Sequence, residues 1–289
     1  MHTQEIKVFP LAKTQVNYWQ VRNWLQYLGV KDPEAVIAPF IQAGISDPAV
    51  IVALCGKRCY MSFEADGSNP NVTKIRENPE EYVTNILKSG HGSVLEHVTF
   101  TYAIEGITRV GTGELNRHRA GVAISEGSMR YIRFDDVGFW MPDSLTCDEA
   151  EVGIDTPEHV SDLDDQNRGR QKLLTQEKLK EAFAGAERIY LDLCQIWKIG
   201  EMKDFGMKKK LTSMFRRVIG MGVSTGGVWT FNARALRHIL ALRTTEHAEE
   251  EIRHVFDLIA EDVIKTNPLL FSDFTRNDKG EWIPKYPKI

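Results

Sequence analysis

The sequence is poor in cysteine. Its four, Cys55, Cys59, Cys147 and Cys194, form no CxxC pair, so the zinc-knuckle and thioredoxin spacings are absent. No apolar run approaches the roughly 20 residues of a membrane span, and the opening MHTQEIKVFP has no apolar signal core. A soluble protein of the reducing cytoplasmic compartment is expected, with no membrane partner. Excess positive charge is lacking too: 36 Lys and Arg face 40 Asp and Glu, a formal net charge of -4. Bulk charge therefore gives no reason to expect nucleic acid as a partner, and any anion must be held by local clusters. Several chemical signatures are missing as well. There is no Walker lysine motif. GMGVSTGG at Gly220–Gly227 follows an expected helix, and its glycine spacing is not the dinucleotide fingerprint. Glu251 and His254 give half of a di-iron helical pair with no second copy. No Cys-His or Ser-His-Asp set can be assembled from the sequence.

What is present is an ordinary globular chain. It has 289 residues, 42% hydrophobic and 26% charged, enough to bury a full core without staples. It is read as a single domain over 1–289, with an N-terminal extension (about 1–45) and an acidic surface insertion (about 143–168). Between Asp143 and Asp165 lie nine acidic residues and no Lys or Arg. A short strand is expected around Ile6–Leu11, then helices over Val16–Leu28, over Asp32–Gly44 with an interruption at Pro39, and from Asp47 towards Tyr60. Asn78, Pro79, Glu80 and Glu81 open a well-punctuated helix that Gly90 follows. Val98–Ile104 alternates as a strand. A helix over Thr108–Arg119 and extended structure over Met129–Trp140 follow. A long helix over Gln171–Trp197 is expected to turn Leu174, Phe183, Ile189, Tyr190, Leu193 and Trp197 inward. Beyond it come a helix over Met207–Val218, a strand over Gly222–Phe231, and helices over Ala233–Arg243 and Glu246–Lys265. The fold class is α+β: a mixed or antiparallel sheet core with flanking helices and long C-terminal helices.

Three polar clusters stand out against this frame. The densest is Arg117–Tyr131, RHRAGVAISEGSMRY, which holds Arg117, His118, Arg119, Ser125, Glu126, Ser128 and Arg130. Guanidiniums beside a glycine-containing loop suit phosphates, because each forks onto two oxygens; a solvated basic loop is the plainer reading. The second, in SGHGSVLEHVTF, holds His91, Ser93, Glu96 and His97. His91, Glu96 and His97 are metal-ligand types, but adjacent Glu96 and His97 on a strand point to opposite faces. A helix cap beside a half-buried histidine is favoured over a metal. The third, NARALRHILALRTTEH, holds Asn232, Arg234, His238, Arg243 and His247. Arg234 and His238 are four apart on one helical face, bordering Leu236, Ile239 and Leu240. That suits a flat anionic ligand, with a charged solvated face as the alternative.

Together, and in this order, the clusters resemble the flavin-dependent thymidylate synthase family. That family carries RHR followed seven or eight residues later by Ser. Here RHR is followed by eight residues (Ala120–Gly127) and Ser128, and Arg130-Tyr131 closes the motif. HGSVLEHVTF and NARALRHILALRTTEHAEEEIR resemble the flanking family segments, so the likeness runs over roughly Cys59–Arg253 apart from the acidic insertion. The resemblance implies the thymidylate synthase-complementing protein fold, in a homotetramer whose active sites are shared between subunits. It implies FAD as cofactor, with NADPH and 5,10-methylenetetrahydrofolate as co-substrates, in the C5-methylation of dUMP to dTMP. Carried over residue by residue, Ser93, Arg117, His118, Arg119, Glu126, Asn232, Arg234, His238 and His247 would hold FAD. Arg117, Glu126, Gly127, Ser128, Met129 and Arg130 would hold the nucleotide, joined by either Arg216 or Arg217. Arg243 would sit at the pyrimidine edge and His91 near the flavin ring.

One departure matters. Glu114 stands where the family often has Gln. A carboxylate is a poor neighbour for a phosphate but accepts from a ribose hydroxyl, which leaves UMP or a modified uridylate open as substrate. The chemistry agrees with the likeness. Methylating uracil C5 builds negative charge on the O2/N3/O4 edge, which a fixed guanidinium stabilises. No cysteine adjoins the RHR segment or the third cluster, so a flavin hydride is expected in place of thiol attack. A non-catalytic nucleotide- or nucleic-acid-binding protein is the distant alternative.

Overall fold

The alternation of Phe100, Tyr102 and Ile104 with Thr101 and Ala103 does form a strand, and the strand continues to Thr108. The computed structural model describes residues 2–65, 69–72, 74–129, 137–147 and 168–288. Arg130, Tyr131 and residues 148–167 of the acidic segment lie outside the described residues. In chain order the elements are β1 (Lys7–Lys13), α1 (Tyr18–Tyr27), α2 (Pro33–Gln42), α3 (Asp47–Tyr60), α4 (Pro79–Lys88), β2 (Thr99–Thr108), α5 (Arg109–Leu115) and β3 (Val122–Glu126). Then come α6 (Arg168–Ile196), α7 (Phe205–Phe215), β4 (Ser224–Asn232), α8 (Ala233–Arg243), α9 (Glu250–Thr266), α10 (Pro268–Phe271), β5 (Phe274–Arg276) and β6 (Trp282–Pro284).

Four strands make one sheet in the order β1-β2-β4-β3, and β5 pairs with β6 in an antiparallel hairpin. Asn232 N–H donates to the Gly121 carbonyl and Gly127 N–H to that of Gly226, each at 2.8 Å. The numbering of one strand falls as the other rises, so β3 and β4 are antiparallel. The chain divides into two compact units. Unit 1 comprises Met1–Lys7, Ile104–Glu114 and Ser125–Gly227; unit 2 comprises Val8–Ala103, Leu115–Ile124 and Val228–Ile289.

Unit 2 holds most of the core. Phe231 of β4 meets Phe256 of α9 edge-on, with centroids 6.0 Å apart, and Phe100 of β2 meets Phe271 of α10 at 5.6 Å. Such T-shaped pairs place a positive ring edge on a negative ring face. Inside this apolar mass sits one buried ion pair. Arg237 of α8, 3% exposed, forks onto Asp273 through bonds of 2.6 and 2.7 Å and also donates to the Leu270 carbonyl. The helix starts follow the expected signals. Asn78 accepts from the N–H groups of Glu80 and Glu81, and Asn232 accepts from that of Ala235; each satisfies donors that the first helical turn leaves without partners.

In unit 1, Tyr190 of α6 packs edge-on against Phe215 of α7, and Ile199, Leu211 and Val223 complete a small buried cluster. Gly106 has φ +81° and its Cα faces the Glu5 carbonyl so closely that a Cβ would overlap it. Only glycine suits that position.

Several expectations change. α2 runs through Pro39, because Val36, Ile37 and Phe40 are buried and their packing outweighs the single backbone bond that proline removes. The helix expected to reach Arg119 ends at Leu115, its last fully buried residue, and Gly111 and Gly113 weaken it. Gly92–His97 is a 3-10 turn, so the opposite-face argument for Glu96 and His97 does not hold. On α6, Tyr190 is buried as expected, whereas Ile189 is 48% exposed, and Trp197, just past the helix end, is 45% exposed. Ile189 lies about 100° round the helix from Tyr190, so the two cannot share one narrow contact. Cys59, near the end of α3, is exposed. Among the described residues no helix is long and apolar enough to cross a membrane.

Candidate active site

The three polar clusters meet within unit 2 through specific contacts. Glu96, from the turn before β2, pairs with Arg234 in the first turn of α8. Asn232, the cap of α8, lies against Gly121, whose φ of +72° and missing Cβ admit the amide. His118 meets Arg243 in the last turn of α8, where Arg243 Nε–H donates to His118 Nε2 at 2.8 Å. An imidazole nitrogen that accepts from a guanidinium carries no proton, so His118 is neutral with its hydrogen on Nδ1 in this arrangement. α8 is thus a rod touched at its start by the second cluster and at its end by the first.

The end of α8 is fixed. Thr244, fully buried, donates to the Leu240 carbonyl at 2.8 Å and accepts from the Trp282 N–H of β6 at 3.0 Å. Arg243 is therefore held half-buried on a braced helix end, where a cation also suits the negative end of the helix dipole. Arg117, Arg119, Arg234, Ser93 and His238 are exposed around it. His91 is half-buried, stacks on Tyr60 with centroids 5.7 Å apart, and lies 3.1 Å from the Tyr60 hydroxyl through Nε2. His247 is 88% exposed beside Glu246, beyond the helix end.

Unit 1 contains a cavity of about 560 Å³. Of the residues expected to hold a nucleotide, Glu126, Gly127 and Met129 line it; Glu114 is not among the described lining residues. Arg109, the first residue of α5, organises its wall. One terminal nitrogen pairs with the Glu126 carboxylate and the other donates to the Gly127 carbonyl at 2.6 Å. A planar fork spanning a carboxylate and the next carbonyl fixes the course of the chain as it leaves β3. Arg217 donates weakly, at 3.4 Å each, to the carbonyls of Ser213 and Met214, capping its own helix. Arg216 makes no such contact among the described residues. Arg130 lies outside the described residues. Ser128 is exposed just past β3.

Glu105 and Arg109 were not singled out from sequence. Arg109 did carry a signal: it is the only Lys or Arg between Lys88 and Arg117. Glu105 carried a fainter one, as the charged member of the Thr101–Ala103 face of β2. Its environment depends on the opposing strand, whose register no local pattern reveals. Glu105 is exposed by surface area, and the limited desolvation it meets on the cavity wall holds its carboxyl above the ordinary carboxylate pKa. The unfolded chain then releases this proton before the folded protein does, so folding binds a proton between the two values. Stability contributed by Glu105 falls as pH rises from the ordinary carboxylate range through the raised one. Glu105→Gln is therefore expected to raise the urea midpoint only slightly at neutral pH, because the side chain is exposed and solvent screens it, with the gain vanishing in acid. An unchanged midpoint at pH 7 would show that the carboxylate is not strained.

Charged and imidazole side chains from three separate segments are gathered along α8 on an α+β frame. The sequence pattern of the thymidylate synthase complementing protein family matches residues 42–269, and the chain belongs to that family, the flavin-dependent thymidylate synthases; it is an enzyme. A flavin-dependent thymidylate synthase of Haloarcula marismortui is 29% identical over 251 residues, 86% of this chain and 93% of the relative. One of Mycobacteroides abscessus is 30% identical over 224 residues, 78% of each chain. The crystal structure of a UMP/dUMP methylase, PolB from Streptomyces cacaoi bound with 5-Br dUMP, superposes with a TM-score of 0.55 at 18% identity, covering 94% of this chain and 96% of that one. The fold is shared with that methylase.

Proposed function

We propose that the protein catalyses the reductive C5-methylation of dUMP to dTMP, with UMP or a modified uridylate as the alternative substrate, using 5,10-methylenetetrahydrofolate as carbon donor and NADPH as reductant of bound FAD. The observation that carries this reading is the convergence on α8: Glu96 with Arg234, Gly121 with Asn232, and His118 with Arg243. The donor set fits FAD. Arg117 and Arg119 are exposed cations flanking His118, and Ser93, Asn232, Arg234 and His238 border the same helix; together they match a pyrophosphate and a polar ring edge. Glu126 and His247 complete the assigned flavin ligands. Bound and reduced, FAD supplies the hydride for the methylation.

The chain's own groups do the rest. Arg117, Glu126, Gly127, Ser128, Met129 and Arg130 bind the nucleotide. Arg243 faces the pyrimidine edge and stabilises the charge that grows there. His91, steadied by Tyr60, borders the flavin ring. Arg217 is occupied at its own helix end, which favours Arg216 as the phosphate ligand. Arg216→Ala is expected to raise the KM for nucleotide about tenfold or more, the scale of a lost charge-assisted bond, while Arg217→Ala changes it little. The opposite order in steady-state kinetics would reverse the assignment. On this reading the enzyme is a cytoplasmic homotetramer with sites shared between subunits, binding neither nucleic acid nor membrane. It is one catalytic domain carrying an N-terminal extension and an acidic insertion.

The test is spectroscopic and isotopic. Purified protein supplied with FAD should show flavin absorbance that NADPH bleaches. With methylenetetrahydrofolate present it should release tritium from 5-labelled dUMP. Failure to bind FAD rejects the reading. Release from 5-labelled UMP alone moves the substrate to the ribonucleotide.

A further inference from the structure

We propose that Glu105 is the sugar-reading residue of the nucleotide site and that it favours a ribose, with both hydroxyls, over a deoxyribose. The inference rests on the methylase reading above and deepens it. Four observations place the residue. Glu105 lines the unit 1 cavity beside Glu126, Gly127 and Met129. Its carboxylate lies across Gly226 of β4, and a Cβ at position 226 would overlap it. A glycine inside a strand weakens the strand and marks a close approach; here the approaching group is this carboxylate. Glu105 makes no hydrogen bond or ion pair with any described residue. The nearest candidate cation along the chain, Arg109, is committed to Glu126 and the Gly127 carbonyl.

An exposed carboxylate on the wall of this cavity, with no partner among the described residues, is poised for a ligand group that donates hydrogen bonds. A pyrimidine nucleotide offers three kinds of surface. Its phosphate is anionic and is repelled. Its O2/N3/O4 edge gains negative charge as C5 attacks, and a carboxylate there would oppose the reaction. The sugar hydroxyls remain, and they are donors. A carboxylate has two oxygens and can accept from both vicinal hydroxyls of a ribose; a 2′-deoxyribose offers one. Glu114, the carboxylate that sequence alone suggested for this task, does not line the cavity among the described residues.

The test measures binding of UMP and of dUMP to the FAD-loaded protein by calorimetry, in the native chain, in Glu105→Gln and in Glu105→Asp. Glu105→Gln should weaken UMP binding about tenfold or more, the scale of a hydrogen bond to a charged group, and weaken dUMP less. The UMP-to-dUMP affinity ratio then falls. Glu105→Asp keeps the charge but withdraws it by one methylene, and should give an intermediate ratio. Retained flavin absorbance in each variant shows that the fold persists. An affinity ratio unchanged in Glu105→Gln overturns the proposal while leaving the methylase reading intact. Native protein that binds FAD but neither nucleotide overturns both.

Discussion

Replacing Asp273 by Asn is expected to lower the unfolding free energy by about 3–5 kcal/mol, the usual cost of stranding one half of a buried ion pair. Arg237 is 3% exposed and its guanidinium is surrounded by protein. It lies over the Phe274 ring at 4.8 Å, donates to the Leu270 carbonyl, and forks onto both Asp273 oxygens. An amide at 273 keeps the shape but removes the charge, so a cation remains in a low-dielectric interior. Typical domains are stable by only 5–15 kcal/mol, so the variant should unfold at a much lower urea concentration. Arg237→Met combined with Asp273→Leu should cost less than Asp273→Asn alone, because no charge is then left without a partner. A double-mutant cycle in urea decides. A loss below about 1 kcal/mol for Asp273→Asn would show that water reaches the pair. The pair matters to the site because Asp273 also accepts from the Tyr286 N–H and precedes β5. It ties the C-terminal hairpin to α8, the helix that bears Arg234 and Arg243.

The same helix shows what a sequence reveals and what it withholds. Asn232 as cap, Ala233–Arg243 as helix, and Leu236, Ile239 and Leu240 as its apolar face were all legible, because each depends on residues within one or two turns. Arg237 was not. It sits among those apolar positions, and its burial depends on Asp273, distant in sequence. The pairing of His118 with Arg243 was expected only as convergence, since no local pattern specifies which imidazole meets which guanidinium. Pro39 and Ile189 fail in the other direction: local preference was clear there, and tertiary packing overrode it or gave it nothing to pack against. Glu105 is the sharpest case. The strand was legible only as far as Ile104, one residue short of it, and its chemistry depended on Gly226 lying opposite.

Replacing Arg243 by Ala is expected to lower methyl transfer by about 100-fold to 1,000-fold, the range seen when one preorganised donor to a developing charge is removed. The argument follows from placement. Thr244 and Trp282 brace the end of α8, and His118 Nε2 accepts from Arg243 Nε–H, so the guanidinium is oriented before any ligand arrives. Orientation in advance is what makes a charge effective in a transition state, since no reorganisation is left to be done there. FAD content should be preserved in the variant, because Arg117, Arg119 and Arg234 remain. Arg243→Lys keeps a cation on a flexible stem without the planar fork, and should recover only part of the rate. The measurement is single-turnover transfer from methylenetetrahydrofolate to dUMP and to UMP, with flavin absorbance as the control. Turnover within a few-fold of the native enzyme would remove Arg243 from the chemistry. Loss of flavin together with rate would make it a cofactor ligand instead. A fall in rate with flavin retained would place the growing negative charge of the pyrimidine at the braced end of α8.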